Sequence, residues 1–309
     1  MRWTLTPDRF ALAWERIDGD RIPYPLAVRR SARDSAERAA QLPALLDWCA
    51  TELDADLTAA LRVLTRPDIR VEVYGTAGPH PVRVLGVAAG AVTVVAAQQP
   101  GPRADRGADV ILVTGTMKTL AARIVSFLPE MPPGSGPRLS APVDQVKATD
   151  RPAAPHRMPT APGTPAGPFA TPGPAAAPKA PHRQPPAISP APTSPFAIPG
   201  PAPAPGPLGA AVPEEPSPAA AVRRLLSRPR DGLGQMVISA RRDTGALRPL
   251  AVLCWIDVRG DGRYAVHTRT EVEITPVTAE AFADLLRTPL AAAERITADT
   301  VRLRPTAGW

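Results

Sequence analysis

Histidine and cysteine are the side chains of this chain with the widest range of chemistry, but their spacing indicates no reactive site. The chain contains His80, His156, His182, His267, Cys49 and Cys254. A metal or catalytic site needs several such groups to converge, and the sequence has no HxH, HExxH, CxxC or Cys/His cluster. It also lacks a glycine-rich phosphate loop and a GxSxG nucleophile motif. We therefore expect no catalysis, no metal site and no cofactor.

Protein binding is the chemistry that remains, and four side chains are candidates for it. These are Trp255, Arg259, His267 and Arg269, which occupy predicted strand and hairpin-tip positions. The alternative is that Trp255 belongs to the core and the other three are simply solvated. Arg259, Gly260 and Asp261 also spell an adhesion tripeptide. Because Gly and Asp readily adopt the positive φ of a tight turn, the hairpin interpretation is favoured.

The stretch that carries these candidates, residues 250–286, predicts a compact unit of strands and one helix. An apolar run over residues 250–258 is followed by a Gly-Asp-Gly turn and an alternating run over residues 264–269. A third run, residues 272–275, ends at Pro276, and Thr278 then opens a short helix. Turn-bounded strands followed by a capped amphipathic helix are typical of a two-layer α+β unit.

The N-terminal part of the chain predicts similar elements. Thr6-Pro7-Asp8 is typical of a helix start, and the helix should run to about Ile17. Residues 31–64 have a helical pattern that breaks near Pro43 or at Asp54-Ala55-Asp56. Four strand-like runs follow over residues 69–74, 82–87, 91–96 and 110–113, and then a helix after Thr116. On the far side of a proline-rich stretch, residues 219–227 predict a helix and residues 234–240 a strand.

Two regions of the chain match each other at a constant offset of 162 residues. Leu64-Thr65-Arg66-Pro67 matches Leu226-Ser227-Arg228-Pro229, and Thr116 matches Thr278. We therefore interpret residues 60–128 and 222–290 as two copies of one scaffold. The predicted fold class is α+β, a quasi-twofold pair of sheet-plus-helix units that share a mainly antiparallel central sheet.

Proline divides the chain into three parts. Of its 42 prolines, 28 lie in residues 129–218, where apolar residues show no period that could bury a core. We expect a disordered Pro/Ala-rich linker there. The domain prediction is an N-terminal α+β half (1–128), the linker (129–218) and a C-terminal α+β half (219–309) that packs on the first to form one domain.

Charge and hydropathy limit the classes of partner. The net charge of +7 is the balance of 33 Arg and 3 Lys against 29 Asp and Glu, and the basic residues are spread along the chain rather than gathered in a basic stripe. We therefore expect no nucleic-acid partner, and keep a basic nucleic-acid-associated protein only as the alternative to the protein-binding function. The N-terminus lacks the apolar segment of a signal peptide, and no apolar run reaches the ~20 residues that span a bilayer. We expect a cytoplasmic protein without membrane insertion.

The ends of both predicted halves resemble a known family. Trp3-Thr4-Leu5-Thr6-Pro7, Trp14-Glu15-Arg16 and Pro23-Tyr24-Pro25-Leu26 are similar to the N-terminus of the EspG family. Asp257-Val258-Arg259-Gly260-Asp261-Gly262-Arg263-Tyr264, with residues 271–276 and a final helix, resembles that family's C-terminal end. None of these motifs is a catalytic signature.

The resemblance implies a cytosolic chaperone or adaptor of type VII (ESX) secretion in actinobacteria. It also implies an α+β fold with a quasi-twofold sheet. The client would be a helical secretion substrate, PE/PPE- or WXG100-like, held soluble before export. The long proline-rich insertion departs from the family pattern and leaves the identity of the client open.

Overall fold

The computed structural model describes residues 1–17, 19–103, 105–148 and 216–302, with side chains up to residue 300. Within these residues ten strands form one antiparallel sheet in the order β1-β5-β4-β3-β2-β7-β8-β9-β10-β6. The strands are β1 Arg2–Leu5, β2 Ile69–Ala77, β3 His80–Ala89, β4 Val92–Gln98, β5 Val110–Gly115, β6 Leu139–Pro142, β7 Arg230–Arg241, β8 Leu247–Val258, β9 Gly262–Thr268 and β10 Glu271–Pro276. The helices are α1 Pro7–Arg16, α2 Ser35–Glu52, α3 Ala55–Thr65, α4 Met117–Val125, α5 Val143–Lys147, α6 Pro218–Ser227 and α7 Ala279–Arg302.

The strand order is symmetric about the β2–β7 pair, because β1-β5-β4-β3-β2 on one side corresponds to β6-β10-β9-β8-β7 on the other. This symmetry confirms the predicted quasi-twofold fold. β2 to β5 followed by α4 corresponds to β7 to β10 followed by α7, and each set begins after a helix, α3 or α6. The two sets meet where β2 pairs with β7, from Ile69↔Ala240 to Ala77↔Gly232. Thr116 caps α4 and Thr278 caps α7, so the offset of 162 residues holds at the helix starts.

The sheet has helices on both faces, and each face is packed differently. On one face α4 and α7 cover the central strands of both halves, with Ile124 and Phe282 fully buried. On the other face two separate clusters form. α1, α2 and α3 pack on β3, β4 and β5, and α6 packs on β8, β9, β10 and β6. Because these two groups cover only the flanks, the middle of that face lies between them.

Helices begin at the capping residues that the sequence predicts. Two prolines, Pro43 and Pro289, lie inside helices and do not end them. The Thr6 side chain caps α1 with Pro7 in its first turn, as predicted. The predicted helix over residues 31–64 breaks at Asp54, whose carboxylate caps α3, while Pro43 lies inside α2. α7 continues through Pro289 to Arg302, beyond the short helix predicted. Burial of Leu290 and Ala293 offsets the roughly 3 kcal/mol that an interior proline costs.

The predicted start of the linker at residue 129 is wrong. Residues 129–148 include β6, which pairs with β10 from Val272↔Ala141 to Ile274↔Leu139, and the short helix α5. A few apolar side chains suffice here because β10 would otherwise be an unpaired edge, and pairing supplies the backbone hydrogen bonds. The remaining part of the predicted disordered linker, residues 149–215, lies outside the described residues.

Asp261, at the tip of the β8–β9 hairpin, ties residues 132–136 to the sheet. Its carboxylate accepts from the Ser135 backbone N–H at 2.7 Å and hydroxyl at 2.9 Å, from Arg228 at 2.6 Å and from the Tyr264 hydroxyl at 2.9 Å. The Ser135 backbone bond is the main cause that lowers the pKa of Asp261 to about 2. Gly260 has φ +70°, which supports the hairpin interpretation of the tripeptide.

Trp255, predicted as a partner contact, belongs to the core. Its side chain is 1% exposed and packs edge-on against Phe282 of α7, with ring centroids 6.4 Å apart. The indole also lies over β7 at Gly234, where a Cβ would come within 2.2 Å of the ring. Glycine is therefore needed at residue 234 for the close approach of the strand to the ring.

Replacing Gly234 by alanine should lower the free energy of unfolding by about 1–3 kcal/mol, the usual cost of overpacking. Without the clash, alanine would be favoured over glycine in a strand by roughly 0.5–1 kcal/mol. Contact with the Trp255 ring therefore turns an expected gain in the free energy of unfolding into a loss. Urea unfolding followed by fluorescence measures the change. The exposed neighbour Gln235 provides the control, since Gln235→Ala should change the free energy by less than about 0.5 kcal/mol. A Gly234→Ala protein as stable as the parent would contradict this packing.

Asp261→Asn should lower the urea midpoint at neutral pH, because asparagine keeps the shape but loses the charge that four donors contact. The folded-state pKa is about 2 against an ordinary value of 3.8, so the carboxylate's extra stability is present above pH 3.8. That stability is lost as the pH falls through 3.8 towards 2. Midpoints measured from pH 7 to pH 2 should therefore show the parent and the variant converging at low pH. A constant difference across the whole range would refute this role.

Candidate functional site

The four predicted contact residues do not form one site. Trp255 is in the core. Arg259 lies in the β8–β9 turn, where its side chain is exposed and pairs with Asp231 at 2.7 Å. His267 on β9 and Arg269 in the β9–β10 turn line a groove beside α7, at the other end of β9 from Arg259. The structure therefore brings together only His267 and Arg269.

A different surface lies in the middle of the sheet, on the face opposite α4 and α7. Alternate residues of the central strands point there, and several are apolar and exposed. Leu233 is 47%, Val252 43% and Tyr74 39% exposed. We call this surface the open sheet face. It consists of Tyr24, Tyr74, Leu233, Gln235, Val237, Val252 and Cys254.

Strand register places these side chains in adjacent rows. Tyr74 on β2 lies opposite Gln235 on β7, which lies opposite Cys254 on β8. In the neighbouring row Val237 lies opposite Val252. Residues directly opposite each other in antiparallel strands have Cβ atoms about 4.5–5.5 Å apart. The open sheet face is therefore a continuous surface over three strands rather than scattered exposed residues.

Tyr24 forms one side of the open sheet face. It precedes a cis peptide bond to Pro25, and its ring lies 5.8 Å from the ring of Tyr74, tilted by 43°. Partial burial, together with Tyr74 and Glu72, raises the pKa of Tyr24, while Arg83 acts in the opposite direction. Burial also raises the pKa of the Cys254 thiol, so the thiol stays protonated at neutral pH. The Tyr24 hydroxyl and the Cys254 thiol are thus uncharged at neutral pH.

Arg83 on β3 lies directly opposite Tyr74 and is buried, and the other two charged side chains nearest to this surface are paired with each other. Arg70 and Glu72 on β2 lie 3.5 Å apart, and both are partly buried. A partner that covers the open sheet face therefore does not have to bury either charge without its counter-ion, which would be costly. The arrangement suits an apolar partner surface with few charges of its own.

Sequence reasoning missed this surface for a physical reason. Leu233 and Val237 belong to the residue types that form cores, and β7 carries Met236 and Ile238 on its buried face. Alternation along β7 separates two faces, but it does not say which helices cover them. The uncovered middle follows from where α3 and α6 lie, which depends on the whole topology.

We also searched the described residues for a metal site and for a membrane-spanning helix. No group of three or more His, Cys, Asp or Glu among them is placed to hold a metal ion. No helix in the described ranges is both long and apolar enough to span a bilayer.

Sequence comparison then decides the family. The profile of the EspG family matches residues 6–288, which is nearly the whole chain. The chain belongs to the EspG family. A search of curated protein sequences finds no significant match.

A solved structure is similar to this EspG family member over its full length. It is the Mycobacterium tuberculosis type VII secretion system chaperone EspG5 in complex with a PE25–PPE41 dimer. The TM-score is 0.52 at 15% sequence identity, with 100% of this chain and 99% of the other covered. At that identity the likeness shows a shared fold.

The open sheet face of this EspG family member should be dispensable for folding. Leu233→Ser changes an exposed side chain, and we expect the free energy of unfolding to fall by less than about 1 kcal/mol. Val73→Ala changes a fully buried residue on the opposite face of β2 and should cost about 2 kcal/mol through lost burial and a cavity. Urea denaturation of both variants checks the contrast. Equal losses would show that Leu233 is part of the core.

Proposed function

We propose that this protein is a cytosolic chaperone or adaptor of type VII secretion. In this proposal it binds a helical secretion substrate on the open sheet face and keeps it soluble before export. The observation that carries the proposal is the continuous, uncharged, apolar surface of Tyr74, Leu233, Val237 and Val252 in the middle of the sheet. Membership of the EspG family supports it, as does the fold shared with a chaperone solved in complex with a PE–PPE dimer.

An apolar helical tip is the client feature that such a surface recognises best. Exposed apolar patches of several hundred Å² drive association of soluble proteins, so a client with such a tip needs it covered until export. Burial contributes roughly 25 cal/mol for each Å² of apolar area removed from water. The two tyrosines add large rigid contact area and hydroxyl groups that can bond to polar atoms at the edge of the client tip.

A PE/PPE-like pair is the first client class, and a WXG100-like helical hairpin is the second. Both present helices joined by a turn, so both offer a tip rather than a long helical side. Direct binding measurements with one purified member of each class from the same organism separate them, and binding of neither would remove the proposed function.

Leu233→Asp should weaken client binding at least about tenfold, which corresponds to about 1.4 kcal/mol, because a carboxylate would be buried without a partner. Isothermal titration of the purified PE/PPE-like pair into the variant measures the change. Val92→Asp is the matched control, since Val92 is equally exposed at 47% but lies at the start of β4, away from the open sheet face. Equal weakening by both variants, or by neither, would exclude this face as the client site.

A further inference from the structure

A pocket adjoins the open sheet face where the start of β2, the end of α3 and the segment after α1 meet. Its volume is about 490 Å³, within the usual range for ligand sites. Hydrogen-bond donors dominate its lining. We call it the arginine pocket and define it by Trp14, Arg21, Tyr24, Arg66 and Arg70. Since Tyr24 also belongs to the open sheet face, the two surfaces are continuous.

Two buried N–H groups of the arginine pocket have no acceptor. Trp14 is 4% exposed, and its indole Nε1 has no hydrogen-bond partner. Arg70 Nε is also buried without a partner, although Arg70 Nη1 lies 3.5 Å from a Glu72 oxygen. These are two of the three buried side-chain donors without an acceptor in the described part of the chain. Buried polar groups are nearly always hydrogen-bonded, so the two donors leave positive partial charge uncompensated in one place.

Formal charge in the lining has the same sign. Arg21 and Arg66 are exposed, and neither side chain has a hydrogen bond or ion pair within the described ranges. Asp20 is the acidic residue of the lining and is exposed as well. The three arginines therefore exceed the acidic charge of the pocket. A cleft lined mainly by charge of one sign concentrates groups of the opposite sign.

The second copy of the scaffold provides a comparison for Arg66. The offset of 162 residues makes Arg228 the equivalent position, and Arg228 Nη1 lies 2.6 Å from a carboxylate oxygen of Asp261 in the β8–β9 turn. The equivalent turn between β3 and β4 is Gly90-Ala91, which carries no carboxylate. The scaffold thus supplies a carboxylate to one of its two equivalent arginines, and the other can accept one from a different molecule.

We propose that the arginine pocket receives an acidic side chain of the client, an aspartate or glutamate at the edge of its apolar helical tip. This inference rests on the proposed function and adds a chemical requirement that the apolar surface alone does not impose. The carboxylate pairs with Arg21 and Arg66 while the apolar part of the tip covers the open sheet face. The uncompensated N–H groups of Trp14 and Arg70 strengthen the positive potential that holds it.

Arginine is well suited to this contact. Its planar guanidinium presents a fork of donors that matches the two oxygens of a carboxylate. A lysine at the same position of a client would meet like charges and donors without acceptors, which costs affinity. The open sheet face therefore supplies apolar contact area, and the arginine pocket selects among apolar tips for those with an acidic edge.

Removal of the two exposed charges tests the inference on the full chain. Arg21→Gln with Arg66→Gln should weaken binding of the purified PE/PPE-like pair at least about tenfold in isothermal titration. Arg38→Gln, on α2 and also exposed, removes a charge away from the pocket and should change the affinity by less than about twofold. Lysine at both positions keeps the charge and should restore part of the affinity. Unchanged binding by the double variant, or equal weakening by Arg38→Gln, would overturn the proposal.

A double-mutant cycle identifies the client's acidic group. Each aspartate and glutamate of the client tip is replaced in turn by its amide and titrated into the parent and into the Arg21/Arg66 double variant. One replacement should weaken binding to the parent about tenfold but binding to the variant less than about twofold, because the charges that it contacts are already gone. Equal weakening in both proteins at every acidic position would refute the contact. Tight binding of a tip without any acidic residue would refute it as well.

This inference and the proposed function fail in different ways. Weak binding by Leu233→Asp together with full affinity of the Arg21/Arg66 double variant would keep the open sheet face as the client site and remove the arginine pocket alone. Binding of neither client class by the parent protein would remove the proposed function, and this inference with it.

Discussion

The pairing of β2 with β7 is the interaction on which the rest of the structure depends. Every residue of β2, from Ile69 to Ala77, has a partner on β7, and this ladder makes one sheet from two short ones. Each half alone would have a central strand with an unpaired edge and a core too small to offset chain entropy well. Joined, they share the buried layer beneath α4 and α7.

The same pairing creates the open sheet face. Each half covers its own second face with helices that precede its central strands, α1 to α3 in one half and α5 and α6 in the other. Because the halves are related by a quasi-twofold rotation, these helices lie on opposite flanks and the strands at the joint lie between them. The surface of Tyr74 and Leu233 therefore results from the way the two halves join at β2 and β7, which explains its position in the middle of the sheet.

Much of the fold could be predicted because local signals agree with it. Thr6, Thr116 and Thr278 cap helices, and the Arg-Pro pairs end α3 and α6 close to the predicted positions. The sequence pattern does not predict β6, because the four residues 139–142 are too few to show an alternating period. They form a strand because they pair with the otherwise free edge of β10. Trp255 is predicted as a contact residue, with a core position as the alternative, for another reason. Residues 253–258 are buried or nearly buried on both faces, so alternation along β8 does not separate inside from outside.

The two halves differ in the length of their hairpins, and the difference shows in how far each long strand extends past its partner. In the N-terminal half only His80, Pro81 and Val82 of β3 extend past the partner strand β4. In the C-terminal half residues 247–253 of β8 extend past β9, so the groove beside α7 that His267 and Arg269 line occurs on one side only. An exposed edge of that length invites unselective strand pairing. Pro249 and a β-bulge between Pro249 and Ala251 interrupt the regular backbone spacing of this edge, which protects it from such pairing. The symmetric part of the fold thus supplies stability, and the asymmetric hairpin supplies a surface that the repeat alone would not contain.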